Sequence, residues 1–278
     1  NIPIDRAQNT FTTAGQHRQT GGAHTITTGF EVRRLQMNGR ETDVHRGFLS
    51  FSNDFGRDAI TNLRMGTPTG GLISIGEVHR GFRNWAMKFY AADTWRVGSA
   101  LTLDLGVLYN PITSPVEVNG LNRIPYPCDC NNVAPRTGFA YRLPGRWGVL
   151  RGAYGLHYGE IFRVTYSQAR FSPPLNNKIN VPRPDIFDMA GSADLNDPNI
   201  RPVFYTLSPD LRTPYSHLYS TSWERELGSG WFLQAGYVGS RSHKLLLMWY
   251  LNRSGDVPGI PRTTGTVNVR RPDDRWAD

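Results

Sequence analysis

The chain has 278 residues, of which 38% are hydrophobic and 12% aromatic, and its formal net charge is +8. Its mean hydropathy is −0.45, and no apolar run approaches the roughly 18 to 20 residues that a membrane-spanning helix requires, which excludes helical spans. The basic side chains are scattered singly and form no basic face with aromatic residues at stacking intervals, so nucleic acid is not an expected partner.

The N-terminal part of the chain predicts a hairpin followed by a more irregular segment. Residues 9–17 and 25–35 read as two strands joined around Gly21 and Gly22. Residues 46–52 (RGFLSFS) predict a short strand. A helical turn is predicted by the near-helical spacing of four apolar residues, Ala59, Ile60, Leu63 and Met65. We expect both short elements to lie in an outer loop.

Residues 101–110 (LTLDLGVLYN) alternate between apolar and polar side chains, with Leu108 as the exception. This period of two is typical of a strand, because successive side chains leave the strand on opposite faces. Residues 84–97 are joined to this strand by only three residues, so the two are predicted to be antiparallel neighbours. Two environments fit the pattern: a soluble sheet packed on a core, or a membrane barrel with lipid outside and water or a plug inside.

Two further hairpins repeat the layout of strand, three-residue turn and strand: 134–143 with 147–159, and 215–227 with 231–240. The segments at the opposite strand ends, 111–133 and 160–214, are long. Short turns at one end and long loops at the other are typical of bacterial outer-membrane barrels, and loops of this length count against a compact soluble domain. The fold class predicted is therefore all-β, a partial antiparallel transmembrane β-barrel, seen as an open, curved sheet of roughly nine or ten strands from a larger barrel.

In most of these strands one face is apolar, and we expect charged residues to stay off it. A Lys or Arg on the lipid face near the bilayer midplane costs roughly 2 to 4 kcal/mol, so the opposite face is expected to line the lumen or contact a plug. Seven residues are assigned to that face: Asp104, Asn110, Arg136, Arg142, Arg151, His157 and Gln234. Arginine pairs bidentately with carboxylates and phosphates, which favours anionic solute groups or acidic plug residues. The alternative is that these arginines only hydrogen-bond the plug and neighbouring strands.

Aromatic residues near the strand ends predict two girdles at the membrane interfaces. Trp95 and Trp231 lie close to short turns, whereas Tyr109, Tyr158 and Tyr237 lie toward the long loops. The alternative is that these side chains pack a soluble core.

Cys128 and Cys130 form a C-x-C sequence within YPCDCNNVAP. A zinc site needs further Cys or His at a set spacing, and none is adjacent. A local disulfide in an oxidising compartment is the favoured interpretation, and two free thiols are the alternative. The histidines never occur as i, i+4 pairs, the carboxylates are scattered, and no glycine-rich motif lies between a strand and a helix. No metal site, cofactor or enzymatic activity is predicted.

Several segments carry a family resemblance by their order along the chain: DAITNLRMGTP, DTWRVGSALTLDLGVLYN, APRTGFAYRL, RGAYGLHYG and AGYVGSRSHKL. In this order they resemble the barrel of TonB-dependent outer-membrane receptors, specifically the Oar-like kind with an N-terminal carboxypeptidase-regulatory-like domain. The resemblance covers nearly the whole chain. It implies a barrel of about 22 strands whose lumen is closed by a plug domain, an energising protein of the TonB type acting through that plug, and a location in the cell outer membrane.

These observations lead to one main hypothesis and two alternatives. Residues 1–278 are expected to be part of the barrel wall, without a signal peptide, plug or N-terminal domain. The main hypothesis is a segment of a transporter that takes up a bulky solute, with outer-membrane lipid, its own plug and a TonB-type protein as partners. The alternatives are a secreted β-protein that binds carbohydrate through aromatic side chains, and a surface protein whose long loops serve adhesion or assembly.

Overall fold

The computed structural model describes residues 4–41, 44–194, 196 and 201–277. Eight long strands form the main path of a large antiparallel sheet, in the order β1 (Ile4–Gly21), β2 (His24–Glu41), β5 (His79–Val97), β6 (Leu101–Tyr109), β8 (Val133–Arg142), β9 (Val149–Tyr158), β11 (Tyr215–Gly228) and β12 (Trp231–His243). A ninth strand, β7 (Val116–Glu117), pairs with β5. Within the described residues the sheet is open at β1 and β12, so the prediction of an all-β fold with an open antiparallel sheet is confirmed.

A second sheet and several short helices occupy the long connections. This sheet has the order β10-β4-β3, with bounds β3 (Phe48–Ser50), β4 (Gly70–Gly76) and β10 (Asn176–Pro182). The helices are α1 (Ala59–Arg64) and α2 (Arg163–Ser167), with 3₁₀ turns at Gln168–Phe171, Thr264–Thr266 and Asn268–Arg270. In the described part of the chain no helix is long and apolar enough to cross a membrane.

The four predicted hairpins are present as β1–β2, β5–β6, β8–β9 and β11–β12. All four turns lie at the same end of the large sheet, as the antiparallel order requires. Gly98 begins the β5–β6 turn at φ +75°, a conformation that glycine adopts without the Cβ clash of other residues. The long connections meet at the other end of the sheet, which we call the long-loop end.

The strand register divides the large sheet into two faces. One rung runs through Thr94, Asp104, Gly138, Ala153, Ser220 and Val238, and the side that holds it is called the polar face. The adjacent rung holds Trp95, Leu103, Phe139, Gly152, Thr221 and Tyr237 on the opposite side, called the apolar face. Most of the exposed large hydrophobic residues of the long strands lie on the apolar face, with Leu218, Phe232 and Val238 as exceptions.

Several charged residues contradict the expectation that the apolar face is free of charge, among them Arg34, Asp93, Arg225 and Arg241. Asp93 lies on this face opposite Leu105, and His24 Nδ1 contacts its Oδ2 at 2.6 Å. His24 also stacks on Trp95 with ring centroids 5.4 Å apart. All three residues lie close to the hairpin turns, where a polar pair on the outer surface of a barrel remains near water.

Strands β1, β2 and β5 are longer than predicted, with 18, 18 and 19 residues. A tilted strand needs only about 9 to 11 residues to cross a bilayer, so these strands continue past the crossing at the long-loop end. There Met37 and Phe82 are directly opposite each other and only 3% and 1% exposed. Loops cover both side chains on the polar face. At these positions apolar residues therefore occur on the face that is polar elsewhere, and the sequence does not alternate between apolar and polar residues.

The second sheet has its own small core at the long-loop end. Ile73, Ile179 and Val181 are buried there. Helix α1 begins after Asp58, whose carboxylate accepts a hydrogen bond of 3.0 Å from the Thr61 amide, a cap that satisfies a free donor of the first turn. The predicted short strand and helical turn of residues 46–68 are thus both confirmed as β3 and α1.

Candidate functional site

The polar face of the large sheet forms a concavity of about 850 Å³. Its floor is made of small residues because glycine, alanine and serine recur where neighbouring strands pair, as in the rung of Gly138, Ala153 and Ser220. Larger polar side chains stand around this floor, among them Asp104, Arg136 and His157. A curved wall of this kind leaves room for a ligand or for another part of the protein.

Six of the seven residues predicted to face the lumen lie on this one face. Across neighbouring strands, Asp104 lies opposite Gly138, Arg136 opposite Gly155, and Arg151 opposite Ala140. Toward the short turns a further rung joins Arg142, Val149, Glu224 and Gln234. These six side chains therefore share one face of the sheet, and their exposure to a lumen stays a prediction.

Polar contacts across neighbouring strands hold several of these side chains. Thr94 donates a 2.6 Å hydrogen bond to the Asp104 carboxylate. Arg136 lies 3.3 Å from His157 Nδ1, and Arg151 forms an ion pair of 3.3 Å with Glu224. The charge of Arg151 is thus partly balanced within the wall.

Asn110 differs from the other six residues because it follows β6 rather than lying in it. It is 5% exposed, and its backbone carbonyl accepts a hydrogen bond from the Asn132 amide group, which also contacts Asp129 and Thr213. Asn110 therefore helps to join two long loops, and its side chain is shielded from the concavity. Sequence reasoning had no access to this role, because Thr213 lies more than a hundred residues away.

A segment after β9 folds inward and crosses the polar face at the long-loop end. We call residues 159–172 the strap. Glu160 forms an ion pair with Arg33 on β2, and Arg163 donates hydrogen bonds of 3.1 and 3.2 Å to Gln8 and Thr10 on β1. Tyr166 packs edge-on against Phe82 with centroids 5.1 Å apart, and burial raises the pKa of the Tyr166 phenol, which keeps it neutral.

The strap contacts belong to a charged network that the sequence analysis missed. Lys88 and Arg33 each contact the Glu31 carboxylate, at 3.1 and 3.3 Å. Glu31, Arg33 and Lys88 share the polar face through the pairing of β2 with β5. The charged residues at positions 31 and 33, two apart in the sequence, could have predicted that both lie on the polar face. Glu160 lies in a loop without periodicity, so its partner could not be predicted from the sequence.

The residues assigned to the aromatic girdles lie on the apolar face. Tyr109 stacks on Phe89, Tyr158 contacts Tyr215, and Tyr237 contacts Tyr219, with centroids 6.4, 5.7 and 6.2 Å apart. Trp231 is 72% exposed beside its turn. Tyr237 shares a rung with Trp95, but barrel strands are tilted by about 35 to 45°, so residues of one rung on distant strands lie at different membrane depths.

The cysteines lie in the loop between β6 and β8, where the structure joins Cys128 to Cys130 in a disulfide. The Tyr109 hydroxyl donates a 2.7 Å hydrogen bond to the Cys130 carbonyl. The disulfide therefore sits directly above the end of β6. Among the residues that the structure describes, no group of three or more His, Cys, Asp or Glu side chains is arranged to hold a metal ion.

Comparison with known proteins gives one family match. A family model described as an outer membrane beta barrel domain matches residues 1–124 and 116–278, which together span the chain. No curated protein and no solved structure matches the sequence.

Proposed function

Because the chain belongs to the outer membrane beta barrel domain family, we propose that it forms part of the wall of a TonB-dependent receptor, of the Oar-like kind, that takes up a bulky solute. The protein is located in the outer membrane, as its family implies. In this proposal the apolar face contacts lipid and the polar face lines the lumen. The partners are a plug domain of the same protein and an energising protein of the TonB type, and no catalytic step is involved.

The observation that carries the proposal is the combination of an open polar concavity with the strap at its long-loop end. Extracellular loops of outer-membrane barrels are long and periplasmic turns are short. A solute arriving from outside therefore meets the strap before it reaches the concavity. The volume of the concavity, about 850 Å³, is near the upper end of the range of ordinary ligand pockets, roughly 300 to 1,000 Å³. Because only one part of the wall forms this concavity, its size favours a bulky solute.

The charges on the polar face favour an anionic partner. The charge of Arg151 is balanced by the Glu224 carboxylate. Arg136 contacts the ring of His157, which carries no negative charge, and Arg142 lies opposite Val149. Arg136 and Arg142 are therefore better suited than Arg151 to bind a carboxylate or phosphate. Both lie in the part of the wall where a plug or a passing solute would make contact.

Solute uptake by cells that produce the full-length receptor tests this proposal. Mass spectrometry of the culture medium would follow depletion of oligosaccharides, peptides and siderophores in cells with and without the receptor, each with and without its TonB-type partner. We expect depletion of one bulky solute class to require both proteins. If no solute depends on both, the transport proposal is wrong while membership of the barrel family stands.

A surface role in adhesion or carbohydrate binding is the second candidate, and the β3–β4–β10 sheet favours it. This sheet has its own buried core and is attached to the long connections, which in an outer-membrane barrel face the exterior. Deletion of residues 160–214 separates the two functions. Loss of adhesion with uptake intact would support the second candidate, and loss of uptake with adhesion intact would support the first.

A further inference from the structure

Aromatic and cationic side chains gather on the apolar face at the long-loop ends of β9, β11 and β12. We call this group the aromatic–cation patch: Tyr158, Tyr215, His217, Arg241, His243 and Lys244. Register places Tyr158, Tyr215 and His243 on one rung and His217 directly opposite Arg241. The patch is thus formed by the fold of three adjacent strands.

The rings of the patch are in mutual contact. Tyr215 stacks on His243 with centroids 5.2 Å apart and meets His217 at 5.6 Å. His217 is held by the Tyr154 hydroxyl, which lies 2.8 Å from its Nδ1. Lys244 adopts φ +53° and brings its Nζ to 5.6 Å from the centre of the Tyr215 ring. These contacts fix an aromatic platform with cations at its edge.

The strand positions of this region carry cationic side chains and no anionic ones. The apolar-face positions of β9, β11 and β12, read from the register, carry no carboxylate. Arg241 and Lys244 are both exposed. The nearest acidic residue is Asp129, in the loop before β8, which acts on Tyr158 at the β9 side of the patch. Arg241 and Lys244 lie on the β12 side, and a guanidinium and an ammonium group there suit a phosphate, because arginine binds phosphate bidentately and lysine binds it as a point charge.

The position of the patch selects a lipid as the source of that phosphate. On the same face, Arg225 lies eight residues along β11 from His217, over the Trp147 ring at 4.8 Å. Eight residues of strand span roughly 27 Å, or about 20 Å along the membrane normal at the usual tilt, close to the apolar band of about 25 Å. Arg225 and the patch therefore bracket the apolar band at its two rims, and the patch is at the rim with the long loops.

We propose that the aromatic–cation patch binds the phosphate-bearing headgroup of a lipid of the outer leaflet. The acyl chains of that lipid lie against the apolar face below the patch, and the aromatic rings sit at the level of the headgroup, where amphipathic rings are favoured. Arg241 and Lys244 contact the phosphate. Clusters of basic residues beside a membrane surface attract anionic headgroups in this way.

Lipid binding by the full-length receptor, purified in detergent and depleted of lipid, tests the proposal. The probe is lipid A that carries two phosphates, and its affinity would be measured by native mass spectrometry. The double variant Arg241→Gln/Lys244→Gln is expected to bind it at least tenfold more weakly. The matched control Arg146→Gln/Arg225→Gln removes two positive charges at the short-turn end and is expected to change the affinity less than twofold.

Three results would overturn the proposal: an equal loss in both double variants, equal affinity for lipid A without its phosphates, or full competition by millimolar inorganic phosphate, which would indicate a site for free phosphate. Heat-modifiable migration in gels reports whether each variant is folded. If the double variant does not fold, the pair Arg241→Lys and Arg241→Gln replaces it, with binding expected to be retained in the first and weakened in the second. No solute or TonB-type protein takes part in this experiment, so its failure is distinct from failure of the transport proposal.

Discussion

Arg33 on β2 and Glu160 in the strap form an ion pair across the polar face, although 127 positions separate them in the sequence. Arg33 also contacts Glu31, which contacts Lys88. The pair therefore joins the strap to a charged network that belongs to the wall. This contact, together with the hydrogen bonds from Arg163 to β1, holds the strap over the polar face.

Substitution of Arg33 is expected to loosen the strap. Leu35 is 3% exposed and lies opposite Thr10, a residue that the strap contacts, so a cysteine at position 35 reports strap opening. A partly exposed ion pair contributes about 0.5 to 1 kcal/mol, which corresponds to a roughly two- to fivefold faster reaction of Leu35→Cys with a membrane-impermeant maleimide in the Arg33→Gln background.

The neighbouring arginine provides the control. Arg34→Gln removes the same charge from the apolar face, where Arg34 lies over the Trp85 ring at 4.8 Å, and should leave the labelling rate unchanged. Exchange of the two charges, Arg33→Glu with Glu160→Arg, should restore slow labelling only in part, because the reversed pair forms while the new carboxylate at position 33 lies beside Glu31. Equal rates in all four proteins would show that the ion pair does not hold the strap.

An arginine on the apolar face is expected to destabilise the folded protein in lipid. Phe139 lies on that face, opposite Leu103 and Gly152. Phe139→Arg should lower the free energy of unfolding in lipid vesicles by at most about 2 to 4 kcal/mol, the cost of an arginine at the bilayer midplane, measured by urea titration. Gly138→Arg puts the same side chain on the polar face opposite Asp104, and we expect it to cost much less. A larger loss for Gly138→Arg would mean that the two faces are exchanged.

The turn between β8 and β9 contains two glycines that differ in what surrounds them. A Cβ on Gly148, at φ +88°, would lie 1.9 Å from the Glu224 carbonyl oxygen, whereas Gly145, at φ +64°, has nothing within 4 Å of that position. Gly145→Ala should therefore lower the free energy of unfolding by about 1 kcal/mol, because alanine is strained in the left-handed backbone conformation. Gly148→Ala must also displace β11 and should cost clearly more, in the same urea titration. Equal costs would contradict the close approach of the two strands.

Acid is expected to weaken one link within the long-loop layer. Arg183, at the end of β10, donates a bidentate pair of hydrogen bonds of 3.0 and 2.9 Å to Asp54 and thereby lowers the pKa of that carboxyl from 3.8. Because the pKa is lower in the folded state, the stabilisation is present above pH 3.8 and is lost as the pH falls through the folded-state pKa. Proteolysis of residues 54–58 should accelerate on acidification in the natural protein and change less with pH in Asp54→Asn, which is already faster at pH 7. A parallel pH response in both proteins would contradict this link.

The alternation of apolar and polar residues predicted the strands of the large sheet but could not predict which loops cover them. Alternation in residues 101–109 fixed both strand and faces of β6, because each side of that strand has one environment. The same reasoning placed the start of β5 at residue 84 instead of His79, since Phe82 is buried under the strap, which is remote in sequence. Asn110 was assigned to the lumen for its parity, and it is instead buried beside Asn132, which binds its backbone carbonyl and also contacts Thr213. The missed contacts join segments that are remote in sequence, such as Phe82 and Tyr166, and for such contacts the sequence offers no period.

The most direct test of the account is which face of β8 meets water in the native outer membrane. Single cysteines at Phe139, Ala140, Tyr141 and Arg142 would be introduced into the full-length protein, in which the disulfide Cys128–Cys130 leaves no other free thiol among the described residues. Each variant would be exposed to a membrane-impermeant maleimide after removal of the plug that the proposed function assigns to the protein. The account predicts labelling at 140 and 142 and protection at 139 and 141. Labelling at 139 and 141 with protection at 140 and 142 would mean that the polar face does not line the lumen, and labelling at all four positions would mean that this sheet is not part of a membrane wall.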